Sequence, residues 1–395
     1  MIECRTIKEL CSVVVDCPHS TPTWTAEGKI VVRSNNIKNG RIDFSSPSYT
    51  DDEHFQQRIK RATPQSGDII ITREAPMGEV GMIPEGIVCC LGQRMVLLRA
   101  NPEICDNYYL LYSLQSRYVQ HQISWSEGTG TTVSNLRIPH LEQLKIPYLP
   151  LSKQRQVSSV LRCLEGKIEQ NRVINDNLEQ QAQSYFQELF VDNASPEWTT
   201  GTISDLGTVV GGSTPSKAKP EYYTESGIAW ITPKDLSINK SKFVSHGEND
   251  ITELGLKNSS AAIMPEGTVL FSSRAPIGYI AIAAGEVTTN QGFKSVVPKP
   301  EIGTPFVYFF LKNTLQVIEG MASGSTFKEV SGSTMKNVPA VIPDAETLAQ
   351  FSDFCAPIFE QQRTLEEQNQ SLATLRDNLL PKLMSGEIDV SAVQL

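Results

Sequence analysis

Basic charge is in short supply. The 395 residues carry 35 Lys and Arg against 44 Asp and Glu, a formal net charge of −9. That excludes the diffuse cationic coat of a non-specific nucleic-acid binder, though not a local basic groove. The deficit is uneven, because residues 346–395 alone hold eight acidic and three basic side chains. Long apolar runs are missing too: none approaches the roughly eighteen residues of a membrane helix. Met1-Ile2-Glu3-Cys4-Arg5 leads into no apolar stretch, so neither a span nor a secretory leader is expected and the expected location is cytoplasmic. Eight cysteines are scattered with no C-x-x-C, which points to reduced thiols and away from a disulfide framework or a zinc site.

Catalytic signatures are equally scarce. Gly211-Gly-Ser-Thr-Pro-Ser-Lys217 is no phosphate loop, since Pro215 stands where a helix should start and no Gly-Lys-Ser/Thr follows. No Asn/Asp-Pro-Pro-Tyr/Phe run of an amino-methyltransferase, G-x-S-x-G or H-E-x-x-H occurs. Asp68 and Glu74 could mimic a nuclease pair, but the related string later in the chain has Thr268 in place of Asp68 and no acid near Arg274. Asp51-Asp-Glu-His54 reads as a solvated acidic turn, and the five histidines lack ligand spacing. No metal is expected, and no catalysis by this chain.

What is present comes twice. Leu164, Ile168, Asn171, Asn175, Leu178, Ala182, Tyr185 and Leu189 step by four and three residues. Phe354, Ile358, Gln361, Leu365, Gln368, Leu372, Leu375 and Leu379 repeat those steps 190 residues later. Mostly apolar positions at that spacing form one stripe on a helix, so each stretch predicts a long helix with the other as its partner. Before each helix lies a globule of short strands. Thr6-Ile-Lys-Glu-Leu10 is echoed by Thr202-Ile-Ser-Asp-Leu206, and Val32-Arg-Ser-Asn-Asn-Ile37 by Ile231-Thr-Pro-Lys-Asp-Leu236. Gly67-Asp-Ile-Ile-Ile-Thr-Arg-Glu-Ala-Pro-Met-Gly78 is echoed by Gly267-Thr-Val-Leu-Phe-Ser-Ser-Arg-Ala-Pro-Ile-Gly278. The chain reads as a tandem duplication: a globule over 1–150, a helix and linker over 151–195, a second globule over 196–345, and a helix and tail over 346–395. Ser152 would cap the first helix.

Antiparallel pairing would give an internal pseudo-two-fold and a spacer of about 60 Å. Its two-fold register pairs Leu164 with Leu379, Ile168 with Leu375, Asn175 with Gln368 and Leu178 with Leu365. Two similar readers on a ruler suit a ligand that repeats along a line, as DNA does. Loops between the strands carry the side chains that contact base edges and phosphates. The candidates are Arg33, Asn35, Asn36, Arg73, Gln93, Arg94, Thr129 and Thr131 in the first globule. Those in the second are Ser213, Thr214, Ser216, Lys217, Thr232, Lys234, Arg274, Asn290, Gln291, Ser325, Thr326 and Lys328. Arg73 and Arg274 look like matching positions.

Several strings resemble one family. Gly211-Gly-Ser-Thr-Pro-Ser-Lys, Pro220-Glu-Tyr-Tyr and Trp230-Ile-Thr-Pro-Lys-Asp-Leu236 are similar to the opening of a target-recognition domain in type I restriction–modification specificity subunits. The two Ala-Pro-x-Gly strings, Asn290-Gln-Gly-Phe293 and Leu379-Leu-Pro-Lys-Leu-Met-Ser-Gly-Glu-Ile388 add to the resemblance. The first globule departs from it, with Asp16-Cys-Pro-His-Ser-Thr-Pro22 in place of the Gly-Gly-Thr-Pro opening. The resemblance implies an α+β chain of two target-recognition domains separated by an antiparallel coiled coil, each domain reading half of a bipartite site on double-stranded DNA. It further implies two methyltransferase subunits as partners and, in full restriction complexes, ATP-dependent restriction subunits. No cofactor belongs to this chain; S-adenosylmethionine would be bound by the methyltransferase. Outer helix faces with Glu165, Glu169, Glu366 and Glu367 are the expected docking surface. The alternative is a protein-binding scaffold with two duplicated domains on a coiled-coil spacer.

Overall fold

The computed structural model describes residues 3–38, 40–125, 135–324 and 328–390. Its contacts divide the chain into two units, Met1–Ile168 with Ser371–Leu395 and Glu169–Gln370. Each unit therefore takes a globule together with half of both long helices.

The first unit is built on an antiparallel sheet in the order Cys11–Asp16, Met95–Ala100, Ile69–Thr72, Val80–Met82. Successive side chains of a strand point to opposite faces, and here both faces are covered. Ile69, Ile71, Val96 and Leu98 pack with Leu110, Leu111 and Leu114 of the helix Asn107–Gln115. Ile70 and Leu97 turn the other way, onto Val32, Cys89 and Leu91. Burial on both sides is why Ile69-Ile70-Ile71 is continuously apolar instead of alternating. The helix that starts at Asn107 breaks at Ser116, whose extended backbone and hydroxyl cap a second helix, Arg117–Ser124.

The second unit repeats this plan. Gly207–Gly211, Lys294–Pro298, Val269–Ser273 and Ile277–Ala283 form the corresponding sheet, extended by Phe243–Val244. Val269 and Phe271 face Phe306 and Phe309, while Leu270 faces Ile231 and Phe293. The short ladder of Cys4–Thr6 with Lys145–Pro147 recurs as Thr199–Thr202 with Pro339–Ile342. The parallel pair Lys29–Val32 and Cys89–Leu91 recurs as Trp230–Ile231 and Thr288–Thr289. Both globules open with a reciprocal cap. The Thr6 N–H donates to the Glu9 carboxylate at 2.6 Å, and the Thr202 N–H to Asp205 at 2.8 Å.

The long helices run Leu151–Gln187 and Ala345–Met384, 37 and 40 residues. The first starts a residue before Ser152, which thus lies inside the first turn and is not the cap. In the first unit Val157 and Leu161 cluster with Leu379, Leu383 and Met384. In the second, Asn171 Nδ2 donates to Asn369 Oδ1 at 3.0 Å, Gln362 Nε2 to the Asn175 carbonyl at 3.1 Å, and Gln350 Nε2 to the Tyr185 hydroxyl at 2.6 Å. Partner numbers fall as the first helix advances, so the pairing is antiparallel.

The inward stripe of the first helix is the expected one. On the second helix Ile358, Leu365, Leu372 and Leu379 also face inward. Between them, however, the seam passes through Cys355, Gln362, Asn369 and Arg376, each one residue beyond the expected Phe354, Gln361, Gln368 and Leu375. Leu375 is 46% exposed, and Gln368 lies on the outside. Phe354 sits at the rim, its ring 4.5 Å from that of Tyr185. The register differs accordingly: Asn175 meets Gln362 and not Gln368, which instead accepts from Asn171 at 3.4 Å. The cause is polar. The buried Lys242 ammonium takes Gln362 Oε1 at 2.9 Å and Glu179 Oε2 at 2.8 Å, drawing both helices onto the second globule.

Two of the glutamates expected on the outer face also turn inward. Glu165 accepts from the Tyr112 hydroxyl at 3.0 Å and pairs with Arg376 at 3.6 Å. Glu366 accepts the backbone N–H groups of Lys242 and Phe243 at 2.7 and 3.0 Å, and burial pushes its carboxyl up. Glu169 is half-buried, with 46% of its side chain exposed, and Glu367 is exposed. Among the described residues, no helix is long and apolar enough to cross a membrane.

Candidate nucleic-acid interface

Backbone hydrogen bonds gather the candidate loops at one edge of each sheet. In the second domain the Ser273 N–H donates to the Gly292 carbonyl at 2.7 Å, and Val330 donates to the Ser273 carbonyl at 3.0 Å. Ser213 donates to Thr289 at 2.9 Å and Asn290 to Ile231 at 3.0 Å. Gly212 permits this approach, because a Cβ there would stand 1.9 Å from the Asn290 carbonyl oxygen. In the first domain Arg73 donates to the Arg94 carbonyl at 2.8 Å, Leu136 to Arg73 at 3.0 Å and Gly92 to Val32 at 2.8 Å. Both edges turn through a cis Ala–Pro bond, Ala75–Pro76 and Ala275–Pro276.

These bonds set the equivalences. Arg73 corresponds to Ser273, and Arg274 to Glu74, so the two arginines are not matching positions. Their roles diverge. Arg73 is built in: Nη1 lies 2.9 Å from Asp16 Oδ2, Nε donates to the Leu136 carbonyl at 3.0 Å, and Nη2 to Asn135 at 3.2 Å, with 12% of the side chain exposed. Arg274 is 37% exposed and pairs with Glu329 at 3.3 Å. Glu329 also draws Lys294 to 3.8 Å. Burial, with Arg274 alongside, lowers the Lys294 ammonium against the pull of Glu329. The first domain has the reverse charge at this place, Glu74 holding Asn135 at 2.6 Å and Arg94 at 3.3 Å.

Other candidates divide between scaffold and surface. Asn36 folds its own loop, accepting the Arg33 N–H at 2.9 Å and donating to the Asp43 carbonyl at 3.1 Å. Thr232 caps its helix, Oγ1 accepting the Asp235 N–H at 3.4 Å while its hydroxyl donates to the Asp235 carboxylate at 2.6 Å. Ser213 Oγ accepts the Ser260 N–H at 3.3 Å, and Asn290 Oδ1 that of Gly292 at 2.8 Å. Gln93 holds the His19 carbonyl. Lys234 is exposed and paired with Glu248 at 2.6 Å. Arg33, Asn35, Arg94, Ser216, Lys217, Gln291 and Lys328 are exposed, and Thr214 is half-buried. Thr129, Thr131, Ser325 and Thr326 lie outside the described residues. Trp24, Lys294 and Glu329 belong to the edges but carry no periodic or motif signal that would mark them beforehand.

The arrangement offers fixed and free donors of both kinds, guanidinium and amide, on two related edges with different side chains. Among the described residues no group of three or more His, Cys, Asp or Glu could hold a metal ion.

Comparison with known proteins gives the same duplication. The family described as type I restriction modification DNA specificity domain matches twice, over residues 3–180 and 196–373. The MjaIX type I restriction enzyme specificity subunit of Methanocaldococcus jannaschii is 39% identical over 191 residues, 46% of this chain and 44% of that one. The chain thus spans less than half the length of that relative. A putative MjaX specificity subunit of the same organism is 22% identical over 98% of this chain and 94% of that one. In fold, the chain is similar to the type I restriction-modification S subunit from M. genitalium, with a TM-score of 0.58 and 19% identity over 97% and 96% of the two chains.

Proposed function

Because this chain belongs to the type I restriction modification DNA specificity domain family, we propose that it reads a split site on double-stranded DNA, one half with each domain. The observation that carries this is the repeated loop edge: one scaffold bears Arg33, Gln93 and Arg94 in one copy and Arg274, Gln291 and Lys294 in the other. A common frame with different donors suits two different half-sites. The paired helices, about 56 and 60 Å of α-helix, set the separation of the halves. Their outer surface, Glu169 and Glu367 included, docks two methyltransferase subunits, and restriction subunits join in a full complex. The methyl donor, S-adenosylmethionine, is bound by the methyltransferase, and this chain contributes no catalytic group.

The test is duplex binding by the chain with its methyltransferase across a salt series. Phosphate contacts make log affinity fall linearly with log salt. A flat response, or equal affinity for all sequences, would sink the reading.

A further inference from the structure

On the first domain's loop edge stand three arginines with different fates. Arg73 is spent on Asp16, Asn135 and the Leu136 carbonyl. Arg94 leans on the Glu74 carboxylate. The Arg33 partners are neutral: Nη1 reaches the Ser48 hydroxyl at 3.4 Å, and the guanidinium lies over the Trp24 ring, 5.3 Å from its centroid. Trp24 is 47% exposed, unusual for so large a ring. With Ser48 and Tyr49 these side chains line an open hollow of about 350 Å³ whose walls carry no carboxylate.

The backbone under Arg33 is fixed. Asn36 closes the loop from both sides, and the antiparallel pairing of Val31 with Ser48 brings the Ser48 hydroxyl alongside. Thr25, next to Trp24, donates its N–H to the Tyr49 carbonyl at 3.1 Å, which anchors the ring's segment on the same strand. A guanidinium that lies over a ring and is hydrogen-bonded on one nitrogen keeps its plane and offers its remaining N–H groups outward. Two parallel N–H donors match the O6 and N7 acceptors of guanine in the major groove, and no other base edge offers that pair. The second domain cannot do this at the same place, where Thr232 stands and its hydroxyl is committed to Asp235.

Resting on the DNA-reading function above, we propose that Arg33 reads a guanine in the first domain's half-site and that Trp24 is a positioning residue holding the guanidinium plane. A bidentate guanine contact corresponds to about 5- to 150-fold discrimination.

The test uses the full chain with its methyltransferase and a duplex panel in which each base pair of the methylated site is replaced, each guanine also by 7-deazaguanine. Arg33→Ala should lose 5- to 150-fold discrimination at one guanine and keep it elsewhere, and 7-deazaguanine there should weaken only proteins that retain Arg33. Trp24→Ala should lose part of the same discrimination and Trp24→Phe restore it, which a merely structural role for Trp24 would not produce. Unchanged selectivity in Arg33→Ala overturns the proposal. So does a uniform loss across the panel with a shallower salt dependence, the mark of a phosphate contact. A parent protein with no sequence preference would overturn the DNA-reading function as well, so the two failures are distinguishable.

Discussion

Arg73 and Glu179 show how far a charged side chain can be absorbed into the fold. Arg73→Ala removes a guanidinium bonded to one carboxylate, one amide and one carbonyl, and leaves the Asp16 carboxylate, 18% exposed, to the exposed His19 ring 3.0 Å away. Because the pair is only partly buried, the expected cost is about 2–3 kcal/mol, below the range for fully buried pairs. Denaturant titration would register it, with the loss falling on stability before specificity. Glu179 gives a pH dependence. Burial works to raise its carboxyl, but the Lys242 and Lys312 ammonium groups outweigh it and hold the pKa at about 2, against an ordinary 4.5. A depressed folded-state pKa stabilises above the ordinary value, and the contribution is lost as pH falls from about 4.5 toward 2. It amounts to at most about 3 kcal/mol. Acid melts of Glu179→Gln should show a flatter fall over that window; an identical acid limb would refute the assignment. Both residues were visible in the sequence as charges, but their partners come from distant segments, Asp16 and Lys242, that no local spacing connects.

At the scale of the element, the helices show why apolar periodicity can mislead. The first stripe was legible throughout because its inward positions are mostly apolar. On the second helix Leu375 is apolar yet exposed, while Gln362, Asn369 and Arg376 are polar yet inward, so counting apolar residues shifts alternate positions by one. Tertiary contacts with Lys242 and Glu165 override the pattern. The strands were easier, since two-sided burial leaves Ile69-Ile70-Ile71 and Val269-Leu270-Phe271 as plain apolar runs. Asn171 has 0% exposure and its side-chain oxygen has no hydrogen-bond partner. Replacing Asn171 and Asn369 together by Leu should therefore keep or raise thermal stability by about 1–2 kcal/mol. A marked drop in melting temperature would mean that these amides stabilise the pair as well as align it.

For the molecule as a whole, the duplication was legible from ordered echoes such as Thr6-Ile-Lys-Glu-Leu10 and Thr202-Ile-Ser-Asp-Leu206. The division of the helices between the units was not, because it depends on which residues meet. The first unit needs Ser371–Leu395 as well as its own globule. A fragment of residues 1–195 loses Leu383, Met384 and Val390 from the cluster around Tyr109, Tyr112, Val157 and Leu161. Exposed apolar surface costs about 0.8 kcal/mol per CH₂, so the fragment should self-associate, and an isologous dimer covers every stripe at once. Light scattering on a sizing column would show it, and a stable monomer would contradict it. The same division governs a broken chain. Residues 193–197 are mostly exposed and lie outside the long helices, so they offer a protease an easy cut. Yet each unit draws structure from both sides of that cut. Limited proteolysis there should give two bands on a denaturing gel and a single native peak, the severed halves parting only when the whole protein unfolds.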